Sequence, residues 1–158
     1  MIGFSAGGHL TAMVSTQFDD GDAAAADPVE RVSSRPDFAI LGYPVIAWPE
    51  ARWNELELVD EHTSAQGLRQ LRPADNVDAH TPPTFIFHTT DDEVVDAANA
   101  IAYYEALVAA KVPAELHVFG HGRHGLGLAM HDRTLGAWPG LLDAWLAQRG
   151  LLGVSAQR

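Results

Sequence analysis

Cysteine is absent from this chain of 158 residues, which excludes disulfides, thiolate nucleophiles and thiolate metal sites. Basic residues are scarce. Ten Lys and Arg stand against 21 Asp and Glu, a formal net charge of −11. A field of that sign repels phosphate backbones and anionic headgroups, so neither nucleic acid nor a membrane is expected as a partner. No apolar run approaches the ~20 residues needed to cross a bilayer. Nothing at Met1 reads as a signal peptide, so a cytoplasmic address is expected. No pattern calls for a cofactor, and no feature fixes an oligomeric state. What is present, 47% hydrophobic and 20% charged residues, suits one globular domain over residues 1–150 followed by a frayed tail at 151–158.

The most specific local signal is Gly3-Phe4-Ser5-Ala6-Gly7, a G-x-S-x-G pattern. It is the sequence form of a sharp strand-to-helix turn that lifts a serine hydroxyl above a sheet. The flanking glycines are expected to relieve clashes in the tight turn. Taking each residue type at roughly 7%, a chance match in a chain this long is on the order of 5%. The alternative is a small-residue helix start with Ser5 as an N-cap, so partners elsewhere must decide.

Spacing of Leu10, Met13 and Val14 predicts a helix from Ala6 to about Gln17. The Asp19–Asp22 cluster lacks the ligand spacing of a calcium loop. Asp27-Pro28 before Val29–Val32 predicts an N-capped turn of helix. The apolar run Phe38–Tyr43 predicts a strand buried on both faces. Residues 47–77, with Trp48, Trp53 and a helix expected from Ser64 to Leu71, interrupt the rhythm. They read as a cap insertion or as an ordinary connection. A strand over Thr84–His88 follows, then a helix near Ala97–Ala110 with Ile101, Tyr104, Leu107 and Val108 on one face. A strand at Glu115–Phe119 and a final helix carrying Leu135, Trp138, Leu141, Leu142, Trp145 and Leu146 complete the order, with a break expected at Pro139. Alternating strands and helices predict an α/β fold, a parallel sheet covered by helices on both faces.

Catalytic groups in such sheets sit beyond the carboxyl ends of strands. Three such places here hold Ser5, then Asp91 and Asp92 in Thr89–Val95, then His121 and His124 in Gly120–Gly127. The order Ser, Asp, His is the one this turn requires. A serine hydroxyl needs a base to take its proton, and histidine is largely neutral near pH 7. A carboxylate on the far ring nitrogen fixes the tautomer and stabilises the imidazolium. Backbone N–H groups then hold the oxyanion, one of them from Ala6. A rival reading takes His117, His121 and His124 as metal ligands, but it needs a helix where a strand and four glycines stand. His9 reads as a packing residue beside the turn. His62, His80, His88 and His131 receive no role. Trp48 and Trp53 either wall a substrate site or pack the insertion.

GFSAGGHL, LGYPVI, TPPTFIFHTTDDEVV, AELHVF and HGRHGLGLA follow one another in this order, and over residues 1–146 the chain resembles bacterial α/β-hydrolases of the acetyl-xylan esterase and feruloyl-esterase-like group, some of them labelled xylanases. The resemblance implies Ser5 as nucleophile, Asp92 as acid and His124 as base. It favours Asp92 over Asp91 because the group's acid stands directly before one residue and a Val-Val pair, here Glu93-Val94-Val95. Asp96 and Gly120 depart from the group, which has proline at both places. The resemblance also implies an N-terminal half with further strands and a His-Gly-Gly loop. Nothing in the 158 residues matches that loop, so the chain is expected to be the C-terminal half of an α/β-hydrolase fold. The expected activity is hydrolysis of small acyl esters, acetylated sugars or xylan fragments among them. A catalytically silent fragment and a serine peptidase on the same fold are the alternatives.

Overall fold

The computed structural model describes residues 1–48, 59 and 62–152. Its frame is a parallel sheet of four strands in the order β1-β2-β3-β4, formed by Ile2–Phe4, Ala39–Gly42, Thr84–Thr89 and Ala114–Phe119. Helix α1 (Ala6–Thr16) follows β1, α2 (Ala65–Gln70) lies between β2 and β3, α3 (Ala98–Ala109) joins β3 to β4, and α4 (Trp138–Gln148) follows β4. Register runs Ile2–Ile40, Ile40–Phe85 and Phe85–Glu115 across the sheet. Strands β2 and β3 are buried throughout, as a central parallel pair should be.

Alternate residues of the central strands feed two cores. On one face Leu41 and Ile86 pack with Ala12 of α1 and Ala100, Tyr103 and Leu107 of α3. On the other, Ile40, Phe85 and Phe87 pack with Tyr43 and with Trp138 and Trp145 of α4. Helices therefore cover both faces. Phe87 and Trp138 stack with ring centroids 4.2 Å apart.

Three local expectations are corrected. Helix α1 buries Gly8, Thr11, Ala12 and Ser15 rather than Leu10, which is exposed. The helix lies too close to the segment just after β2 for a large side chain there: a Cβ on Gly8 would stand 2.8 Å from Pro44 Cβ. Helix α3 buries Asn99, Ala100, Tyr103 and Leu107, leaving Ile101 and Val108 exposed. It is apolar nearly all round, so periodicity does not select a face. Its rotation coincides with an anchor, Asn99 Oδ1, which accepts the Ile46 and Ala47 N–H groups at 2.9 and 2.8 Å. Third, residues 28–31 form a turn and not a helix. Asp27 does accept the Val29 N–H at 2.8 Å, but as an Asx turn.

The break expected at Pro139 is a short 3₁₀ turn, Leu135–Ala137, running into α4, whose first turn carries the proline. Ser64 caps α2 by accepting the Gly67 N–H at 3.1 Å. Ala74 and Val77, in and just after the 3₁₀ turn Pro73–Asn76, pack against the α3-side core. Trp48 packs on Val45 and Val95, whereas Trp53 and most of the tail 151–158 lie outside the described residues.

Candidate active site

Ser5 sits between β1 and α1 with φ 55° and ψ −120°. Left-handed φ is strained for a residue with a Cβ, and such strain persists only where the surroundings impose it. Here they do. The Ser5 N–H donates to the Gly42 carbonyl at 2.9 Å, and its own carbonyl accepts the His9 N–H at 3.1 Å. A Cβ on Gly3 would meet the Gly7 carbonyl oxygen at 2.0 Å, so the first glycine of the motif is sterically required. Gly7 is not, since nothing lies within 4 Å of the space its Cβ would occupy. The second glycine in close contact is Gly8, outside the motif.

The side chain of Ser5 makes no N-cap bond, so the capping alternative fails. Its Oγ lies 2.7 Å from Nε2 of His124. Nδ1 of His124 lies 2.7 Å from Oδ2 of Asp92. The other oxygen of Asp92 accepts the Val94 and Val95 N–H groups, both at 2.9 Å. Burial alone would raise the Asp92 pKa. The Val95 N–H, the His124 side chain and the Val94 N–H outweigh it and hold the carboxyl below its usual value. An ionised carboxylate only accepts, so His124 Nδ1 carries the proton, and its Nε2 lone pair faces the serine hydroxyl. The structure thus brings Ser5, His124 and Asp92 into one hydrogen-bonded chain, each member from beyond a different strand.

Asp91, the alternative acid, points elsewhere. It pairs with Nδ1 of His121 and accepts the Gly122 N–H at 2.6 Å. Thr89 Oγ1 donates to the Gly122 carbonyl at 2.6 Å, so Gly122 is gripped on both sides. A Cβ there would come within 2.8 Å of Thr89 and Leu135. His117 lies on β4, 2.7 Å from Glu115, and does not join His121 and His124. Among the described residues no group of three His, Asp or Glu is arranged to hold a metal ion.

Ala6 opens α1, where backbone N–H groups have no acceptor within the helix and the helix dipole is positive. His9 Nδ1 is 3.0 Å from the Val45 carbonyl oxygen, which keeps it beside the turn. A recess of about 330 Å³ is lined by Asp91, Glu93, Val94, His121, Arg123 and His124. A larger hollow of about 730 Å³, lined by Leu126, Met130 and Leu135 among others, touches none of the three chain members.

Sequence reasoning missed Tyr43, His88 and Trp138 at this site. The Tyr43 ring stands edge-on to His124 at 5.0 Å between centroids. Burial pushes its hydroxyl pKa up against a backbone hydrogen bond from Gly127, with the Asp92 charge adding to the rise. Trp138 Nε1 donates to the Gly127 carbonyl at 3.0 Å, fastening the histidine loop to α4. A large polar aromatic just past a buried strand was the one available signal for Tyr43.

No helix among the described residues is long and apolar enough to cross a membrane. Comparison with known proteins identifies related chains. The chain is 33% identical over 144 residues to endo-1,4-beta-xylanase B of Butyrivibrio fibrisolvens, covering 89% of this chain and 22% of that protein. It is 32% identical over 146 residues to an acetylxylan esterase of Xylanibacter ruminicola, covering 85% and 28%. Among solved structures, an acetyl ester-xyloside bifunctional hydrolase from Caldicellulosiruptor lactoaceticus is 44% identical with a TM-score of 0.89, covering 96% of this chain and 57% of that one. A thermophilic esterase from Thermogutta terrifontis is 27% identical with a TM-score of 0.73, covering 99% and 56%. The chain therefore spans about a quarter of the curated relatives' length and somewhat over half of the solved ones. These likenesses make the fold that of the α/β-hydrolases. The prolyl oligopeptidase family matches residues 1–149, and the chain belongs to that family.

Proposed function

We propose that this chain carries the catalytic residues of a serine carboxylic-ester hydrolase acting on small acyl esters, acetylated sugars or xylan fragments among them. The observation that carries the reading is the pair of 2.7 Å contacts linking Ser5 Oγ, His124 and Asp92. His124 Nε2 takes the serine proton as Oγ attacks the ester carbonyl. Asp92 stabilises the resulting imidazolium, and the Ala6 N–H at the positive end of α1 faces the oxyanion. Collapse breaks the ester C–O bond, His124 returns the proton to the leaving alcohol, and an acyl-serine remains. Water, activated by the same histidine, then releases the acid. The names of the esterase relatives favour an ester over an amide substrate.

The test is hydrolysis of p-nitrophenyl acetate by the chain and its Ser5→Ala variant. Serine removal is expected to lower kcat by about 10⁴-fold or more. Equal turnover by the two proteins would refute the mechanism. The family match favours a second reading, a serine peptidase with the same three residues. Faster cleavage of peptidyl p-nitroanilides than of acyl esters would select it. Because the chain spans 57% of the hydrolase it resembles at 44% identity, a third reading is a stretch silent by itself, marked by no Ser5-dependent turnover of either substrate.

A further inference from the structure

One polar group lies against the Ser5–His124–Asp92 chain without belonging to it. His88, on β3, is fully buried. Its Nε2 is 2.8 Å from the Val95 carbonyl oxygen and 3.5 Å from Asp92 Oδ2. A carbonyl only accepts, so Nε2 carries the ring proton and Nδ1 the lone pair. Among the described residues, buried Nδ1 has no hydrogen-bond partner. An unpaired buried lone pair is costly, and phenylalanine would fill the same space without it. Strand packing does not ask for an imidazole: Ile86, two residues earlier on the same face, meets an apolar core. What this ring supplies, and an apolar one would not, is a single N–H held by the Val95 carbonyl at 2.8 Å and lying 3.5 Å from Asp92 Oδ2.

We propose that His88 is a positioning residue: its Nε2–H, bonded to the Val95 carbonyl, ties β3 to the turn 92–95 and sets a positive N–H dipole 3.5 Å from Asp92 Oδ2, which holds that oxygen on the His124 Nδ1 proton. The inference rests on Asp92 being the acid of the proposed triad. The Val94 and Val95 N–H groups fix only Oδ1. An N–H dipole 3.5 Å from Oδ2 favours this orientation of the carboxylate over a rotated one. Burial holds the His88 pKa down, with the Val95 carbonyl and the Asp92 and Asp96 charges pulling upward and the His124 charge downward. A ring kept neutral does not compete with the His124 imidazolium for Asp92.

The test uses His88→Phe, which removes the donor, and His88→Gln, whose amide reaches the Nε2 position. Nitrogen-15 NMR of the His124 ring reads its tautomer without any turnover. Hydrolysis of p-nitrophenyl acetate reads kcat and KM. Wild type and His88→Gln are expected to keep His124 as the Nδ1–H tautomer, while His88→Phe loses at least a third of that population. Since an ångström of misplacement costs up to about 10²-fold, kcat of His88→Phe should fall about 10-fold or more. KM should stay within twofold, and His88→Gln should recover kcat to within threefold of wild type. If His88→Phe does not fold, His88→Asn carries the same expectation, because its amide stops short of the Nε2 position. A folded donor-less variant that retains the His124 tautomer, or that loses no more kcat than His88→Gln, overturns the proposal. Should turnover survive Ser5→Ala, the hydrolase reading fails, and the tautomer measurement still decides the role of His88.

Discussion

Asp91 and Asp92 are neighbours in the chain, yet their carboxylates diverge to different histidines of one loop. Asp92 meets His124 from a side chain only 1% exposed, while Asp91 meets the outward-facing His121 and the Gly122 N–H. One residue thus faces the histidine bonded to Ser5, and the other fastens the loop that carries that histidine.

The two should separate cleanly on substitution. Asp92→Asn leaves the shape but removes the charge that fixes the His124 tautomer, and kcat should fall by about 10⁴-fold. Asp91→Asn only loosens Gly122, which Thr89 still holds, so its loss should stay within about 10-fold. Steady-state ester hydrolysis by both variants checks this. Equal losses would mean the acid has been misassigned.

The motif glycines should separate as well. Gly3→Ala drives a Cβ to 2.0 Å from the Gly7 carbonyl oxygen, so destabilisation at or beyond the top of the usual range of about 1–3 kcal/mol for overpacking is expected. Gly7→Ala meets open space inside a helix and should stabilise by about 0.5–1 kcal/mol. Urea midpoints of the two variants carry the comparison.

Acid should weaken the fold in two stages. His9 and His88 are held below the ordinary value of 6.5, in each case chiefly by burial. Between 6.5 and their folded pKa values the unfolded chain binds protons that the folded one does not. Stability therefore falls as pH drops through that window. Asp91, Asp92 and Asp132 are held below 3.8. Their contribution is complete above 3.8 and is lost as pH falls through the lower folded values. Thermal unfolding between pH 8 and pH 2 should show both declines, and His88→Gln should flatten part of the first.

Much of this was legible in the sequence because it depends on chain order. The Ser5 turn, the acid loop and the histidine loop each follow an apolar run, and parallel strands bring such loops to one edge. Apart from the helical turn expected at 29–32, which is not a helix, helix and strand spans lie within a residue or two of those expected. Which aspartate meets His124 is not legible from spacing, since it depends on the directions of two adjacent side chains. The buried faces of α1 and α3 are not set by their large apolar residues: Gly8 lets α1 approach Pro44 closely, and Asn99 anchors α3 at the Ile46 and Ala47 N–H groups. His88 was passed over because a histidine inside an apolar run gives no sign of what its ring touches seven residues later.

Ser5 is held at its amide by Gly42, at its carbonyl by His9, and from below by the closeness of Gly3 to Gly7. None of these grips involves the hydroxyl. The seat is therefore indifferent to what occupies it, and the fold presents a point in space before it presents a chemistry. An alcohol fills that point here, but the address is written in its neighbours, and a different reactive group installed there would inherit the same aim.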